Sequence, residues 1–160
     1  MDILIQLGYW GLFAGAFLAA TIIPLSSDII YAGVLIIPDI DPWIAFVMVT
    51  MGNWTGSLTS YGLGYLGKWK WLEKIFKIKP EQLEKQRYRV SKYGALLAFF
   101  TWLPFIGDVI NVALGFYRVN LVVCAIYSLI GRTLRFLVWT LLYLKYGDVF
   151  LDFIHNIGLM

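Results

Sequence analysis

The chain has 160 residues, of which 60% are hydrophobic and 14% are charged, with a formal net charge of +3. Soluble domains are about 45–50% apolar and about 25% charged, so this composition excludes a soluble globular protein and predicts an all-α integral membrane protein. Because a spanning helix needs about 20 apolar residues, the chain has room for about four spanning or half-spanning elements. We therefore predict a single membrane domain over residues 1–160.

The first half of the chain alternates apolar and polar stretches. An apolar segment at 3–23 is followed by "PLSSD" (24–28) and by an apolar piece at 29–37 that is too short to span the membrane. The turn-forming stretch "PDIDP" (38–42) then precedes a long apolar segment at 43–66, which we expect to cross the bilayer.

A basic stretch joins the two halves. Residues 68–92 carry nine of the thirteen basic residues and three of the ten acidic ones, so the positive-inside rule places this connector (67–93) in the cytoplasm. Apolar residues recur in it at helical spacing between lysines, namely Trp69, Leu72, Ile75 and Phe76. This pattern predicts an amphipathic helix that lies in the membrane interface.

The second half repeats the plan of the first. A segment at 95–117 is broken at "LPFIGD" (103–108), and a segment at 119–144 is long enough to cross. The sequence therefore predicts two repeats, each a proline-broken helix followed by a spanning helix. The repeats cover residues 3–66 and 94–144, and a mixed tail covers residues 145–160.

Both breaks contain a proline followed four residues later by an aspartate: Pro24 with Asp28, and Pro104 with Asp108. A proline inside a helix removes one hydrogen bond and clashes with the preceding turn. Freed backbone groups at membrane depth are tolerated where they face protein or a water-filled cavity, and paired interrupted segments point to the midplane site of a transporter. A kink with a capping residue is the alternative, because serine and aspartate are natural N-cap residues. The two interpretations are compatible.

The sequence leaves the orientation of the repeats open. If the first and third segments are re-entrant hairpins, the second repeat is inverted relative to the first, which suits alternating access. If both segments span, the repeats are parallel and both termini lie inside. The 21 residues of the first segment favour spanning.

Four charged residues lie in the apolar regions, and their charges sum to zero: Asp28, Asp108, Arg132 and Arg135. A single charge at the bilayer centre costs about 2.5–3.5 kcal/mol, so we expect the four to pair in a shared polar interior. Two arginines three residues apart share a helix face and present forked donors that match phosphate oxygens, whereas a buried aspartate can exchange protons near neutral pH. Pairing without a ligand is the alternative. Further polar residues that can line the cavity are Ser26, Ser27, Asn53 and Asn111.

Small residues recur every four positions in the second long segment, at Gly52, Gly56, Ser60 and Gly64. Such a face lets helices approach closely, and a smooth groove for a lipid chain is the second interpretation. No catalytic motif is present, so we expect no enzyme activity, no metal and no cofactor. The single cysteine, Cys124, lies in an apolar run and is expected to be a buried hydrophobe.

Three stretches carry a family resemblance: "PLSSD" (24–28), "GNWTGSLTSYGLGYLG" (52–67) and "SKYGALLAFFTWLPFIGDVINVALGFYRV" (91–119). They are similar to the DedA superfamily, also called the SNARE-associated Golgi protein or VTT-domain family, and most of all to its short YqaA-type branch. The resemblance implies a multi-pass bacterial inner-membrane protein with two re-entrant helices. It also implies transbilayer movement of lipids, including phospholipids and undecaprenyl phosphate, that depends on the proton motive force.

Residue by residue, Asp28 resembles the acidic residue of the family's first motif, and Pro24 and Pro104 resemble its helix-breaking prolines. Many members carry arginines on either side of the second proline, where this chain has Trp102 and Asp108. The head-group arginines of those members have no counterpart there. Arg132 and Arg135 are the candidates to replace them.

These observations predict a lipid translocase coupled to protons. Asp28 and Asp108 would handle protons or ions, and Arg132 and Arg135 would bind the phosphate. Membrane lipids are the expected partners, and protons or Na⁺ are the expected coupling ion. We expect no nucleic-acid partner. A homo-oligomer is compatible with the sequence. One alternative is a cation or proton exchanger of small solutes. Another is a scaffold or assembly factor in which the charges only fix helix register.

Overall fold

In the computed structural model of the chain, the described residues are 2–21, 27–67, 74, 80–103 and 106–156. Their regular secondary structure is helical, as the fold-class prediction required. The helices are α1 (Asp2–Ala19), α2 (Ser27–Leu35), α3 (Pro42–Tyr65), α4 (Pro80–Phe99), a 3₁₀ turn (Phe100–Trp102), α5 (Ile106–Phe116) and α6 (Leu121–Asn156). Three residues predicted to belong to the site lie outside the described residues: Pro24, Ser26 and Pro104. The proposed interfacial positions Trp69, Leu72, Ile75 and Phe76 also lie outside them.

Local sequence explains where the two long helices begin. The Asp41 side chain accepts a hydrogen bond from the Trp43 backbone N–H at 2.8 Å, and Pro42 occupies the first helical position of α3. The Asn120 side chain accepts from the backbone N–H of Val122 at 2.9 Å and so caps α6 in the same way. Each cap satisfies a donor that the first turn of a helix leaves free.

Two predicted boundaries differ from the structure. The first helix ends at Ala19, four residues before the predicted end of the segment at 23. At the other end of the chain, α6 continues to Asn156, so residues 145–156 are not a separate tail as predicted. The mixed polarity of that stretch suggests a tail, but polarity alone does not end a helix. The stretch contains no proline, and helix propagation needs only the next hydrogen bond.

Helix α3 lies at the centre of the fold and packs against α1, α5 and α6. Its glycines make the closest approaches. A Cβ on Gly52 or Gly56 would overlap a backbone carbonyl of α1, and a Cβ on Gly64 would overlap the Val112 carbonyl of α5. From α5, Gly115 faces the backbone of α3 in turn. Small residues thus sit where helix backbones meet without intervening side chains.

Each broken segment folds back along its own first helix. In the first half, the hydroxyl of Tyr9, in the middle of α1, accepts a hydrogen bond from the Asp41 backbone N–H at 2.8 Å. In the second half, Gly94 of α4 faces the side chain of Val119, which follows α5. The Tyr61 hydroxyl near the end of α3 donates to the Val119 carbonyl. The ends of α3 and α5 and the Gly94 region therefore lie at one level of the molecule.

Among the described helices, the stretch Leu121–Val149 of α6 is long and apolar enough to cross a membrane. Its 29 residues carry exposed apolar side chains such as Val122 and Val138. A lipid-facing helix is expected to present such side chains outward. α3 has 24 residues, about 36 Å at 1.5 Å per residue, but its glycine, serine, threonine and asparagine residues make it more polar.

Candidate functional site

The first half of the site is an ion pair between α2 and α6. Arg135 donates from Nε to Oδ1 of Asp28 at 2.9 Å, and its Nη2 donates to Oδ2 of the same carboxylate. Both side chains are largely buried. A planar guanidinium and a carboxylate joined by two parallel hydrogen bonds form the strongest common type of ion pair. The charge of Asp28 is thus neutralised within the helix bundle.

Arg135 also binds the second helix break. Its Nη1 donates to the backbone carbonyl of Trp102 at 2.7 Å. Trp102 ends the 3₁₀ turn two residues before Pro104. Because the helix stops there, the Trp102 carbonyl needs a partner from elsewhere, and an unpaired carbonyl is costly in a membrane. One guanidinium therefore joins the aspartate of the first break to a backbone group of the second.

The second half of the site is centred on Arg132, which is only 2% exposed. Its Nη1 donates to Oδ1 of Asn53 on α3. Its Nη2 lies 3.6 Å from Oδ1 of Asp108 on α5, which is an ion pair but too long for a hydrogen bond. Asn53 in turn donates from Nδ2 to the Ser27 hydroxyl at 3.1 Å. A polar chain therefore runs from Ser27 at the first break to Asp108 at the second.

The two arginines differ in what occupies their Nε/Nη2 edge. In Arg135 that edge is closed by the Asp28 carboxylate. In Arg132 both Nε and Nη2 are buried and have no hydrogen-bond partner among the described residues. Buried donors are usually paired with protein or water. The open edge of Arg132 is thus a place where a water molecule or an anionic oxygen would be favourably bound.

Asn111 adds a second open donor on the α5 side. It lies three residues after Asp108, so the two side chains share a helix face. Asn111 is 3% exposed, and its Nδ2 has no partner among the residues that the structure describes. Ser128 of α6 is also buried, but its hydroxyl bonds to its own helix at the Ala125 carbonyl, 3.3 Å away.

Ser60, predicted as a packing residue, also forms a hydrogen bond at the first helix break. Its hydroxyl donates to the Ala20 carbonyl at 2.8 Å, just beyond the end of α1. The Ala20 carbonyl is among the groups that the end of α1 leaves without an intrahelical partner. A small polar residue here both allows the close approach and satisfies the backbone.

The sequence prediction missed some members of the network. The Tyr31 hydroxyl bonds to the Thr140 hydroxyl at 2.6 Å, and both residues are fully buried. A signal was available, because Tyr31 lies three residues after Asp28 and Thr140 lies eight after Arg132, at helical spacing. No sequence signal indicated the role of the Trp102 carbonyl, since every residue carries one.

Comparison with known proteins places this arrangement in a family. The model of the VTT domain matches residues 23–144. An uncharacterized protein of Haemophilus influenzae is 30% identical over 133 residues, covering 78% of this chain and 80% of that protein. The inner membrane protein YqaA of Escherichia coli is 29% identical over 132 residues, covering 81% of this chain and 87% of that protein.

A longer relative is the uncharacterized membrane protein YkoX of Bacillus subtilis, which is 30% identical over 153 residues and covers 89% of this chain and 66% of that protein. No solved structure matches the chain. The matched residues include both helix breaks, α3 and the arginines of α6. The chain therefore belongs to the VTT-domain, or DedA, family of bacterial inner-membrane proteins, in its YqaA-type branch.

Proposed function

We propose that this protein moves a phosphate-bearing lipid across the inner membrane and couples that movement to protons. The observation that carries the proposal is the open Nε/Nη2 edge of Arg132, which is 2% exposed and lies between the two helix breaks. This edge is the one that guanidinium groups use to bind phosphate oxygens in pairs.

The carboxylates supply the coupling. Asp108 lies 3.6 Å from Arg132, so a phosphate that binds the guanidinium comes close to a second negative charge. Like charges at short distance favour protonation of the carboxylate. Proton uptake by Asp108 would thus accompany phosphate binding, and proton release would accompany its departure. Na⁺ near the same carboxylates is the other coupling ion to be tested.

We further propose that the two broken segments are re-entrant hairpins. The contact of Gly94 with Val119 supports this for the second segment, because its entry and exit meet at one level. The contact of Asp41 with Tyr9 supports a first segment that folds back as far as the middle of α1. The 11 residues of α5 rise about 16 Å, about half of a 30 Å bilayer core. With the basic stretch 68–92 in the cytoplasm, the second hairpin opens from the cytoplasm and the first from the opposite side.

An internal equivalence supports two inverted repeats. Asn53 follows Gly52, which packs on the Phe13 carbonyl of the first hairpin. Arg132 follows Gly131, which packs on the Phe99 carbonyl of the second hairpin. Asn53 binds the residue that begins α2, and Arg132 binds Asp108 in the first turn of α5. The two equivalent side chains also bind each other. The site would then lie at the repeat interface, where transporters bind substrate.

The test is a translocation assay on purified protein in liposomes. A fluorescent lipid with a phosphate head group is compared with a zwitterionic one, each with and without a pH gradient. We expect gradient-dependent movement of the phosphate lipid. The translocation rate should fall about tenfold or more in Arg132→Lys, because an ammonium group lacks the paired N–H donors of a guanidinium. Asp108→Asn is expected to abolish the gradient dependence, because Asp108 is the carboxylate beside Arg132. Arg118→Lys, in the exposed loop before α6, is the matched control and is expected to act as wild type.

Full activity of Arg132→Lys would contradict the phosphate role. Folded wild-type protein that moves no lipid would contradict the translocase proposal as a whole. In that case the scaffold alternative makes its own prediction: replacing the four charges together with apolar residues leaves the protein's biological role intact.

A further inference from the structure

Two equivalent helix crossings lie beside the site, and they are packed differently. In one, α5 of the second half lies on α3 of the first half, and Gly64 and Gly115 bring the two backbones into direct contact. The equivalent crossing places α2 of the first half beside α6 of the second. Helix α2 packs closely on α1 and α3, whereas no comparable backbone packing of α2 on α6 is seen among the described residues.

Residue size explains this difference. The two halves correspond with an offset of 79 residues in the long helices and of 80 residues from one break aspartate to the other. Where α3 has Gly64, α6 therefore has Tyr143, and where α5 has Gly115, α2 has Leu35. Large side chains at these two positions keep the backbones of α2 and α6 apart. Both residues line a groove of about 180 Å³ between the two helices.

Side chains alone join α2 to α6 across this α2–α6 seam. Arg135 binds the carboxylate of Asp28 through two hydrogen bonds. One turn further along α2, the Tyr31 hydroxyl bonds to the Thr140 hydroxyl at 2.6 Å, and the Tyr31 ring lies edge-on to Phe136 with ring centroids 5.6 Å apart. Helices joined in this way have fewer atoms in contact than helices whose backbones touch, so less attraction opposes their separation.

The α2–α6 seam also leads to the open edge of Arg132. Arg132 lies one turn before Arg135 on α6, so a separation of the helices at Arg135 reaches it. Ser27, the first residue of α2, accepts a hydrogen bond from Asn53, and the Asn53 amide oxygen binds Arg132. Movement of α2 would therefore withdraw one member of the network that surrounds this guanidinium.

We propose that the α2–α6 seam is a gate to the Arg132 site. In the closed state, which this structure shows, the bonds of Asp28 with Arg135 and of Tyr31 with Thr140 hold α2 against α6. In the open state both bonds are broken, while the glycine crossing of α3 and α5 stays packed. The gate rests on the proposed function in taking Arg132 as the ligand site, but it requires no particular ligand.

The reactivity of a cysteine behind the gate tests it. Leu35→Cys in a Cys124→Ala background places a thiol at a position that is 4% exposed and lines the α2–α6 groove. When opening and closing are fast relative to labelling, a water-soluble thiol reagent reacts in proportion to the population of the open state. The labelling rate is measured on the purified protein in detergent micelles.

Two substitutions at Thr140 separate the hydrogen bond from the shape of the side chain. Thr140→Val removes the hydroxyl and keeps the shape, whereas Thr140→Ser keeps the hydroxyl. We expect labelling to be about two- to tenfold faster in Thr140→Val, which is the change in an equilibrium that the loss of one hydrogen bond produces. Thr140→Ser should change the rate much less.

The same bond can be removed from the side of α2. Tyr31→Phe should accelerate labelling as Thr140→Val does, and it leaves no hydroxyl unpaired, because Thr140 keeps its bond to the Phe136 carbonyl at 2.7 Å. Asp28→Asn should accelerate labelling as well, since opening breaks both bonds of the gate.

Cys124 is the control site, in a protein that retains it and has Leu35 unchanged. It is 3% exposed and packs in the core of the second half, so its labelling should not respond to Thr140→Val. Acceleration at both cysteines would indicate general loosening and would overturn the gate. Equal rates in Thr140→Val and Thr140→Ser would overturn it too.

Two further outcomes locate the opening. Acceleration by Thr140→Val without any by Asp28→Asn would show that the opening stops short of Arg132, and it would overturn the gate as a route to the site. Because labelling involves no ligand, a wild-type protein that moves no lipid would count against the proposed function alone. Conversely, a protein that moves lipid but shows unchanged labelling in all of these variants would count against the gate alone.

Discussion

Asn53 forms hydrogen bonds with two residues that belong to different halves of the chain. Its amide oxygen accepts from Arg132 on α6, and its Nδ2 donates to Ser27 at the start of α2. Side-chain amides can do both because they carry a donor and an acceptor on one planar group. Aspartate would accept from Arg132 but could not donate to Ser27 when ionised. The amide therefore serves both partners as they stand, whereas an ionised aspartate could keep Ser27 only if the hydroxyl turned to donate.

Loss of this amide should destabilise the protein. Asn53→Ala leaves a buried guanidinium and a buried hydroxyl without their partner, which typically costs about 1–3 kcal/mol. Thermal denaturation in detergent micelles measures the effect as a lower unfolding temperature. Thr59→Ala on the same helix is the control, because its hydroxyl bonds only to its own helix and is exposed, and a change within about 0.5 kcal/mol is expected. Equal effects of the two substitutions would contradict the bridging role.

The ion pair of Asp28 and Arg135 should be energetically coupled. Asp28→Asn and Arg135→Gln are each expected to destabilise, and the double variant should lose less than their sum, with a coupling of about 0.5–3 kcal/mol. The reason is that each single variant leaves one charge without its partner inside the bundle. Denaturation of the wild type and the three variants under one condition gives the value.

Asp39→Asn and Arg118→Gln provide the control cycle for this measurement. Both residues are exposed and lie in different loops, so their effects should add within about 0.5 kcal/mol. Additivity at Asp28 and Arg135 as well would show that the observed contact contributes nothing to stability.

At the scale of elements, α3 shows how glycine spacing fixes helix packing. Gly64 faces the backbone of α5, whereas a methyl group at Gly62, two residues earlier, would meet no neighbouring helix within 4 Å. We expect Gly64→Ala to destabilise by about 1–3 kcal/mol, because α3 and α5 would have to separate. Gly62→Ala should be neutral or stabilise by about 0.5–1 kcal/mol, since alanine restricts the unfolded chain and favours the helix. Thermal denaturation of the two variants in parallel is the measurement.

Comparing Gly64→Ala with Gly62→Ala separates the effect of helix packing from the effect of helix propensity. Both substitutions add one methyl group to the same helix, so any effect of helix propensity is shared. A similar unfolding temperature for Gly64→Ala and Gly62→Ala would contradict the close approach of α3 and α5. Gly115→Ala tests the same contact from the α5 side and should resemble Gly64→Ala, because its Cβ would overlap the Tyr61 carbonyl.

At the scale of the whole molecule, the proposed re-entrant hairpins predict which loops share a side of the membrane. In a Cys124→Ala background, cysteines replace Asp39, Lys74 and Asn120, which are all exposed. A membrane-impermeant thiol reagent should reach Lys74→Cys and Asn120→Cys from the cytoplasm and Asp39→Cys from the opposite side. If the third segment spans instead, Asn120→Cys reacts from the side of Asp39→Cys. Lys74→Cys lies in the basic connector and calibrates the cytoplasmic side.

Local sequence patterns are enough to establish the class of the protein, its family and the positions of most helices. Composition, prolines, caps and turn residues act on their immediate neighbours, so they can be interpreted without knowing the fold. For this reason the segment predicted at 43–66 agrees closely with α3, which runs from Pro42 to Tyr65. The predicted end of α6 is wrong because the stretch 145–156 contains no proline, and neither Gly147 nor mixed polarity is enough to end a helix that can form the next hydrogen bond.

Helix packing, by contrast, determines which charges and polar groups meet. The sequence predicts that the four buried charges combine, but it does not assign Asp28 to Arg135 or Asp108 to Arg132. It also cannot distinguish an arginine whose Nε/Nη2 edge is closed from one whose edge is open. These partners are 24 to 107 residues apart in the chain, and they meet only because α2, α3, α5 and α6 approach closely at small residues. Contacts of this kind depend on how whole helices pack, which no local pattern specifies.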